Sequence, residues 1–479
     1  LTVTMPRDCA SRVKNLPKGV AGRRANLYPA GGVGEGMAAS AATASIDRPR
    51  RAVGTVVFVV FLDLVGFGIV IPILPYYVRS FGVGDLFIGL LAATYSLTQF
   101  LAAPALGRAS DRWGRRPIVT LSLAGSAVAW TVFGLGDSVG DAAGPLAGIA
   151  VLFLARALAG AMGGNIAAAQ AYVADVTPPE RRAAALGLVG ASFSLGFIFG
   201  PAIGGALASE TAVRLAAPLP IPATRFSLPA FGAAVMSLAA LAVALVALEE
   251  PDRHRSKAAQ SSLVADFVTA LRDADLRGLV LAFFLISVAF AGIQVMFIPF
   301  VADSAAYRFD ASAAALLLTY VGVLGAVNQG LLVGRLAERF GSARLAVAGA
   351  SLLAVALAAL PFAPALGGVL PPVGGPAWLT REVVALLVVL GVLSLGNGLL
   401  NPSLATLVSA NAGAERQGTA FGVTQGAGSL GRTVGPPVAA ALYALAYWSP
   451  FVAGAAVVLP VVALLVGVAR KASSDHSSN

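Results

Sequence analysis

Long apolar runs alternate with short polar breaks from residue 52 almost to the C-terminus. The runs have approximate limits 52–78, 85–106, 117–137, 146–174, 183–208, 227–248, 278–302, 311–333, 345–363, 382–410, 417–441 and 446–469. A helix needs about 20 mostly apolar residues to cross a bilayer. Hydrocarbon offers the backbone no water, so each segment must satisfy its own hydrogen bonds. A membrane β-barrel would show short segments of alternating polarity, and these runs are too long and too uniform for that. The pattern predicts an all-α integral membrane protein with twelve transmembrane spans.

Composition agrees: 57% of the 479 residues are hydrophobic and only 12% are charged, where a soluble domain carries about a quarter. The net charge of +10 raises a nucleic-acid partner, but its distribution points elsewhere. With twelve spans, both termini and every second connection share one side. That side holds 26 of the 33 Lys and Arg residues. The opposite side holds Arg79, Arg214, Arg225, Arg308 and Arg381, and Arg156 and Arg432 fall within spans. By the positive-inside rule, both termini are expected in the cytoplasm and the protein in the cell (inner) membrane. The basic excess is topological and implies no nucleic acid. Cys9, His254 and His476 all lie in polar stretches, so no intrachain disulfide and no metal site is expected.

Two polar stretches exceed a tight loop. Residues 1–51, rich in Arg, Gly, Ala and Ser, are expected to form a disordered basic cytoplasmic tail, with Met5 or Met37 as the expected start. Residues 249–277 form a central cytoplasmic loop that divides the spans six and six. The expected organisation is therefore a six-helix bundle at 52–248, a second at 278–470 and a short tail at 471–479. The bundles resemble each other. "ERRAAALGLVGASFSLGFIFGPAIGGAL" from Glu180 and "ERQGTAFGVTQGAGSLGRTVGPPVAAAL" from Glu415 match at a constant offset of 235, pairing Gly187 with Gly422 and Gly200-Pro201 with Gly435-Pro436. "GRASDRWG" at Gly107 is echoed by "GRLAERFG" at Gly334. This is an internal duplication with parallel halves.

Four stretches carry a family resemblance. "GRASDRWGRR" between spans 2 and 3 resembles the loop motif of the major facilitator superfamily. "DLVGFGIVIPILP" in span 1, "RALAGAMGGN" in span 4 and "GFIFGPAIGG" in span 5 resemble patterns of its drug:proton antiporters. Spacing and order fit the tetracycline and multidrug exporter branch. The resemblance implies two pseudo-symmetric six-helix halves that work by alternating access. It implies a conformational latch at Gly107, Asp111, Arg112, Gly114, Arg115 and Arg116, with Asp111 capping span 11 in one access state and Asp175 pairing with the arginines. A carboxylate is favoured at a helix N-terminus by the exposed N–H groups there. The span-5 motif, Gly196, Gly200, Pro201, Gly204 and Gly205, is expected to pack closely and block leak. A topogenic basic loop and plain helix packing are the simpler readings of these two motifs.

Ionisable groups in mid-bilayer are costly and usually functional. Asp63 is the one acid in mid-span. At 1.5 Å per residue it lies about 16 Å into span 1, and Arg156 lies about 15 Å into span 4 from the other face. Opposite charges at one depth suggest a pair, either static or serving as the proton-coupling site. Arg432 lies about 22 Å into span 11, as a ligand for an anionic group or snorkelling to the outer surface. Gln99, Asn165, Gln294, Asn328, Gln329, Asn397 and Gln425 are further candidates for a substrate cavity, with interhelical bonding as their alternative role. Gln170 and Asn401, with Tyr95, Phe193, Phe290, Phe297 and Tyr320 as aromatic walls, complete that set.

The chain departs from the tetracycline exporters. They carry an acid in span 3 where Ala129 stands here, another in span 9, which has none here, and a span-8 histidine near Gly325. The leading expectation is proton-coupled antiport exporting small amphipathic compounds. The alternative is transport of another solute, such as a sugar, metabolite or siderophore, in either direction. A receptor or enzyme on this scaffold is disfavoured, since no nucleophile–base set, metal cluster or phosphate loop is present. The expected partners are a small-molecule substrate, protons and lipid. No cofactor beyond the proton motive force is expected, and the protein is expected to be a monomer.

Overall fold

The computed structural model describes residues 49–163, 165–251, 272, 274–372, 374, 376, 378–412 and 417–477. Almost all of the tail and the middle of the central loop lie outside that set. The described chain is helical, with the helices in the order the hydropathy pattern predicts.

Spans 1 to 6 are the helices Pro49–Val70, Leu86–Trp113, Arg115–Gly134, Pro145–Met162, Pro179–Leu207 and Ser227–Ala247. Spans 7 to 12 are Ala274–Asp303, Ala311–Val327, Ser342–Ala359, Arg381–Ala412, Gln417–Leu445 and Ser449–Ser477. Eleven helices among the described residues are long and apolar enough to cross a membrane. Span 11 is the twelfth by position. Its 29 residues are ample to cross a hydrocarbon core of about 30 Å, but Gln425, Ser429, Arg432 and its glycines dilute its apolar character. Those polar side chains face a cavity rather than lipid.

The boundaries differ from the expected ones where proline or glycine intervenes. The run at 52–78 is not one helix. It ends at Val70, turns, and resumes as Leu74–Ser80 with Pro75 in its first turn. Proline interrupts the i to i−4 ladder but fits a first turn. Span 4 stops at Met162 and a second helix, Asn165–Val176, follows. Span 8 passes through a π-helical segment, Asn328–Val333, into Gly334–Phe340.

Glycines set the closest helix pairs. A Cβ at Gly200 would sit 2.6 Å from Gly68 Cα, and one at Gly196 would sit 2.7 Å from Leu64 Cβ. Span 5 therefore lies backbone to backbone on span 1. Spans 7 and 11 repeat this: a Cβ at Gly292 would sit 2.8 Å from the Gly435 carbonyl oxygen, and one at Gly431 would sit 2.6 Å from that of Phe284. Two further contacts join the first six spans to the second six, span 2 on span 11 and span 5 on span 8. In the latter, Ser312 Oγ donates to the Gly205 carbonyl at 2.9 Å.

Candidate functional site

A cavity of about 910 Å³ lies between the first six spans and the second six, near the upper end for small-molecule sites. It reaches Gly107, Arg108 and Asp111, which the sequence pattern placed in a loop but which lie in the last two turns of span 2, helical as far as Trp113. It is therefore open on the face that carries both ends of the helical domain.

The opposite end is tied shut. Arg79 Nε and Nη2 donate to the Asp85 carboxylate at 2.7 and 2.8 Å. Arg79 Nη1 and Nη2 donate to Asp303, the last residue of span 7, at 2.7 and 2.8 Å. Tyr443 Oη donates to the same carboxylate at 2.9 Å, and Tyr76 Oη to the Phe309 carbonyl at 2.6 Å. Burial opposes charge on Arg79, but its hydrogen bonds to two carboxylates outweigh it and hold its pKa above the ordinary value. Sequence reading missed this cluster because its central partners, Arg79 and Asp303, are 224 residues apart. Its one signal was a lone arginine near a single acid, Asp85, in the outer turn.

Mid-cavity, Asp63, Gln99, Arg156, Gln294, Gln425 and Arg432 all contribute to the lining. The Asp63–Arg156 pair expected from depth is not what holds Arg156. Its guanidinium lies 4.5 Å from the Tyr95 ring centroid, 5.8 Å from that of Phe67 and 6.0 Å from that of Trp130. Among the described residues it forms no ion pair, and its Nε is buried without a hydrogen-bond partner. Aromatic faces attract a cation through their quadrupoles, and three of them converge here. Asp63 lines the same cavity and has an interaction of its own. Gln99 Nε2 bridges the Tyr95 hydroxyl and the Gly163 carbonyl, each at 3.4 Å.

Arg432 does not snorkel outward. Its Nη2 donates to Ser429 Oγ at 2.8 Å, one turn back toward the open mouth.

Asn328, Gln329 and Asn397 do not line the cavity. Asn328 is buried beside Gly398, Gln329 is exposed on another face, and Asn397 Oδ1 accepts from Asn401 Nδ2 at 2.7 Å. The Asn165 side chain lies outside the described set. Of the aromatic candidates, Tyr95 and Phe193 reach the cavity, while Phe290, Phe297 and Tyr320 pack in the hydrophobic core.

At the mouth, Arg115 Nη1 meets Asp111 at 2.6 Å, and Arg115 Nε meets Asp175 at 3.0 Å. Arg116 Nη2 donates to the Leu245 carbonyl at 2.7 Å. Arg112 is exposed. Gly114, at φ 122°, makes the turn into span 3, a backbone conformation that glycine adopts at little cost. The N-terminus of span 3 is capped by Glu250, a residue the sequence reading did not single out. Its two carboxylate oxygens each accept from a backbone N–H, of Arg115 and of Arg116, at 2.8 Å. Residues 413–416, which lead into span 11, lie outside the described residues, and so does the contact expected there for Asp111.

The Major Facilitator Superfamily profile matches residues 56–379. Tetracycline resistance protein, class E, of Escherichia coli is 30% identical over 87% of this chain and 94% of its own. Multidrug resistance protein 1 of Bacillus subtilis is 28% identical over 85% of this chain and 92% of its own. A bacterial homolog to the human lysosomal transporter Spinster, crystallised in an inward-facing and occupied conformation, matches the fold with a TM-score of 0.66 at 15% identity. That match covers 89% of this chain and 98% of the other. A duplicated set of apolar helices around one cavity, closed at one end by ion pairs, is thus joined by sequence likeness over most of the chain: this protein belongs to the major facilitator superfamily.

Proposed function

We propose that the protein is a proton-coupled antiporter that exports small amphipathic compounds from the cytoplasm, with Asp63 as the proton-carrying group. The observation that carries this reading is the cavity. One mid-bilayer carboxylate shares its wall with the cation of Arg156, with aromatic rings and with glutamine amides. Such a lining suits an amphipathic guest: rings for its apolar body, a few polar groups for orientation. The names of the relatives, tetracycline and multidrug resistance proteins, support efflux. The 26-to-5 distribution of basic residues outside the spans supports a cytoplasmic position for both termini. The mouth at Asp111 then faces the cytoplasm, and the conformation is inward-open.

The cycle follows from the two ends. Substrate enters past Arg108 and Asp111. The outer bonds of Arg79, Asp85 and Asp303 release as the cytoplasmic side closes, and Asp111 in its other setting supports that closed side. A proton from outside binds Asp63, the cavity reopens inward, and the proton leaves. The protein does this as a monomer in the cell membrane, performs no covalent chemistry, and draws its energy from the proton gradient alone.

Asp63→Asn keeps the shape and hydrogen bonding of the side chain but removes its proton cycle. It is expected to bind substrate and to equilibrate it, and to lose gradient-driven accumulation in everted vesicles by at least about a hundredfold. Replacing Arg156 by Gln as well should not restore accumulation. Recovery in the neutral double variant would mean that the two charges serve only to balance each other, and would reject Asp63 as the coupling site.

A further inference from the structure

We propose that Arg432 forms an anion subsite on the span-11 wall of the cavity, so that the preferred substrates carry a carboxylate, sulfonate or phosphonate on an apolar ring system. This deepens the export reading above and rests on it for the direction of transport.

Arg432 sits about midway along span 11, where an unanswered charge is expensive. It lines the cavity, and among the described residues it forms no ion pair. Its hydrogen bond to Ser429 draws the guanidinium toward the open mouth. A guanidinium has five N–H donors, and one such bond uses only part of its fork. Gln425 and Ser429, within seven residues on the same helix, line the same cavity, and Gln294 of span 7 lies there too. An arginine, two amides and a hydroxyl on one wall suit an oxyanion.

A second observation comes from across the cavity. Arg156 is 6% exposed, lines the same space, and its buried Nε lacks a partner. The mid-cavity charges are thus two cations and one acid. The rings of Phe67, Tyr95 and Trp130 stand around Arg156 and offer a shelf for a flat apolar body. With an anionic group on span 11, Asp63 on span 1 remains for the proton, so the two sites fill from opposite walls. A zwitterion would span both.

The test uses the full-length chain in nanodiscs and two flat tricyclic dyes of opposite charge, 6-carboxyfluorescein and ethidium, in equilibrium dialysis with empty nanodiscs as the blank. The wild type is expected to prefer carboxyfluorescein. Arg432→Gln should weaken carboxyfluorescein binding about tenfold or more, the worth of a charge-assisted contact, and strengthen ethidium binding by removing a like charge. Arg432→Lys should recover part of the loss, since it keeps the charge without the fork. The proposal is overturned if the wild type does not bind carboxyfluorescein, if Arg432→Gln leaves that binding unchanged, or if the Gln and Lys variants lose both dyes alike. Proton-driven uptake of each dye into proteoliposomes reads the export mechanism separately. If neither dye is taken up while carboxyfluorescein binding still depends on Arg432, proton coupling falls and the subsite stands. If ethidium is taken up without anion binding, the subsite falls alone.

Discussion

The first six spans and the second six share their packing and differ in their chemistry. Gly68 of span 1 lies on Gly200 of span 5, and Gly292 of span 7 lies on Gly435 of span 11. Five residues before each of the span-1 and span-7 glycines stands the contrast: Asp63 in one half, Ser287 in the other. Spans 5 and 11 show the same division. At the offset of 235 that aligns Gly200 with Gly435, Arg432 corresponds to Phe197, and both residues line the cavity. Positions where two backbones touch tolerate almost nothing but glycine, so the duplication stays visible there. Positions that face a water-filled space carry no such constraint and have diverged. In mid-cavity the first half presents an acid, Asp63, together with a cation, Arg156, while the second presents the cation Arg432 and no acid, so a single cavity between them has two different walls.

The largest effect tests the shared packing. Valine at Gly200 or at Gly435 would place side-chain atoms inside the backbone of span 1 or of span 7. Overpacking in a dense interior costs about 1–3 kcal/mol and sometimes more, and here the obstacle is backbone rather than a movable side chain. Both variants are expected to lose most folded protein, read as the monodisperse fraction on size exclusion and as the thermal midpoint in detergent. Comparable losses would establish that the halves use these glycines alike. A well-folded Gly435→Val beside a collapsed Gly200→Val would break the comparison.

A smaller effect concerns the bonds that join the halves at the outer end. Asp303→Asn removes a charge from Arg79 and weakens the bond from Tyr443, while Asp85 stays in place. Partly exposed ion pairs are worth about 0.2–1 kcal/mol, which is about a 1.4- to 5-fold change in an equilibrium. The outward-open population should rise by that factor. A thiol reporter, Gln294→Cys in a Cys9→Ser background, measures it as faster labelling by a membrane-impermeant reagent added outside. An unchanged rate would mean that the Arg79 cluster is surface decoration.

The sequence showed most of the helices because the bilayer imposes both length and apolarity on a span. Span 11 was legible by its length even though its polar positions dilute its hydropathy, and those positions are the ones facing the cavity. The break in span 1 was also written in the chain, at Pro72 and Pro75, but the apolar character of the run concealed it. Gln99, Gln294, Gln425 and Arg432 were readable as cavity residues from polarity in mid-span. Asn328, Gln329 and Asn397 satisfied the same test and lie elsewhere, because polarity does not reveal which way a helix is turned. The aromatic surroundings of Arg156 and the Arg79 cluster needed the fold, since spans 1 to 4 supply the former and residues 224 positions apart the latter.

The smallest effect sharpens a difference at the mouth. The turns before spans 3 and 9 are built alike, around Gly114 at φ 122° and Gly341 at φ 80°. In the first, the Glu250 carboxylate crowds Gly114 and takes the two backbone N–H groups that open span 3. In the second, nothing among the described residues lies within 4 Å of a Cβ at Gly341, and among them no side chain takes the N–H groups that open span 9. A carboxylate at an exposed helix N-terminus contributes about 0.3–1 kcal/mol, less in salt. Glu250→Gln keeps one acceptor oxygen and loses the charge, so it should lower the thermal midpoint by a degree or two at low salt and by less at high salt. Glu250→Ala loses both acceptors and should fall further, with a residue at high salt that Gln does not show. If Glu250→Gln lowers the midpoint equally at all salt concentrations, the cap works through geometry and not charge, and the first half's mouth is no more electrostatic than the second's.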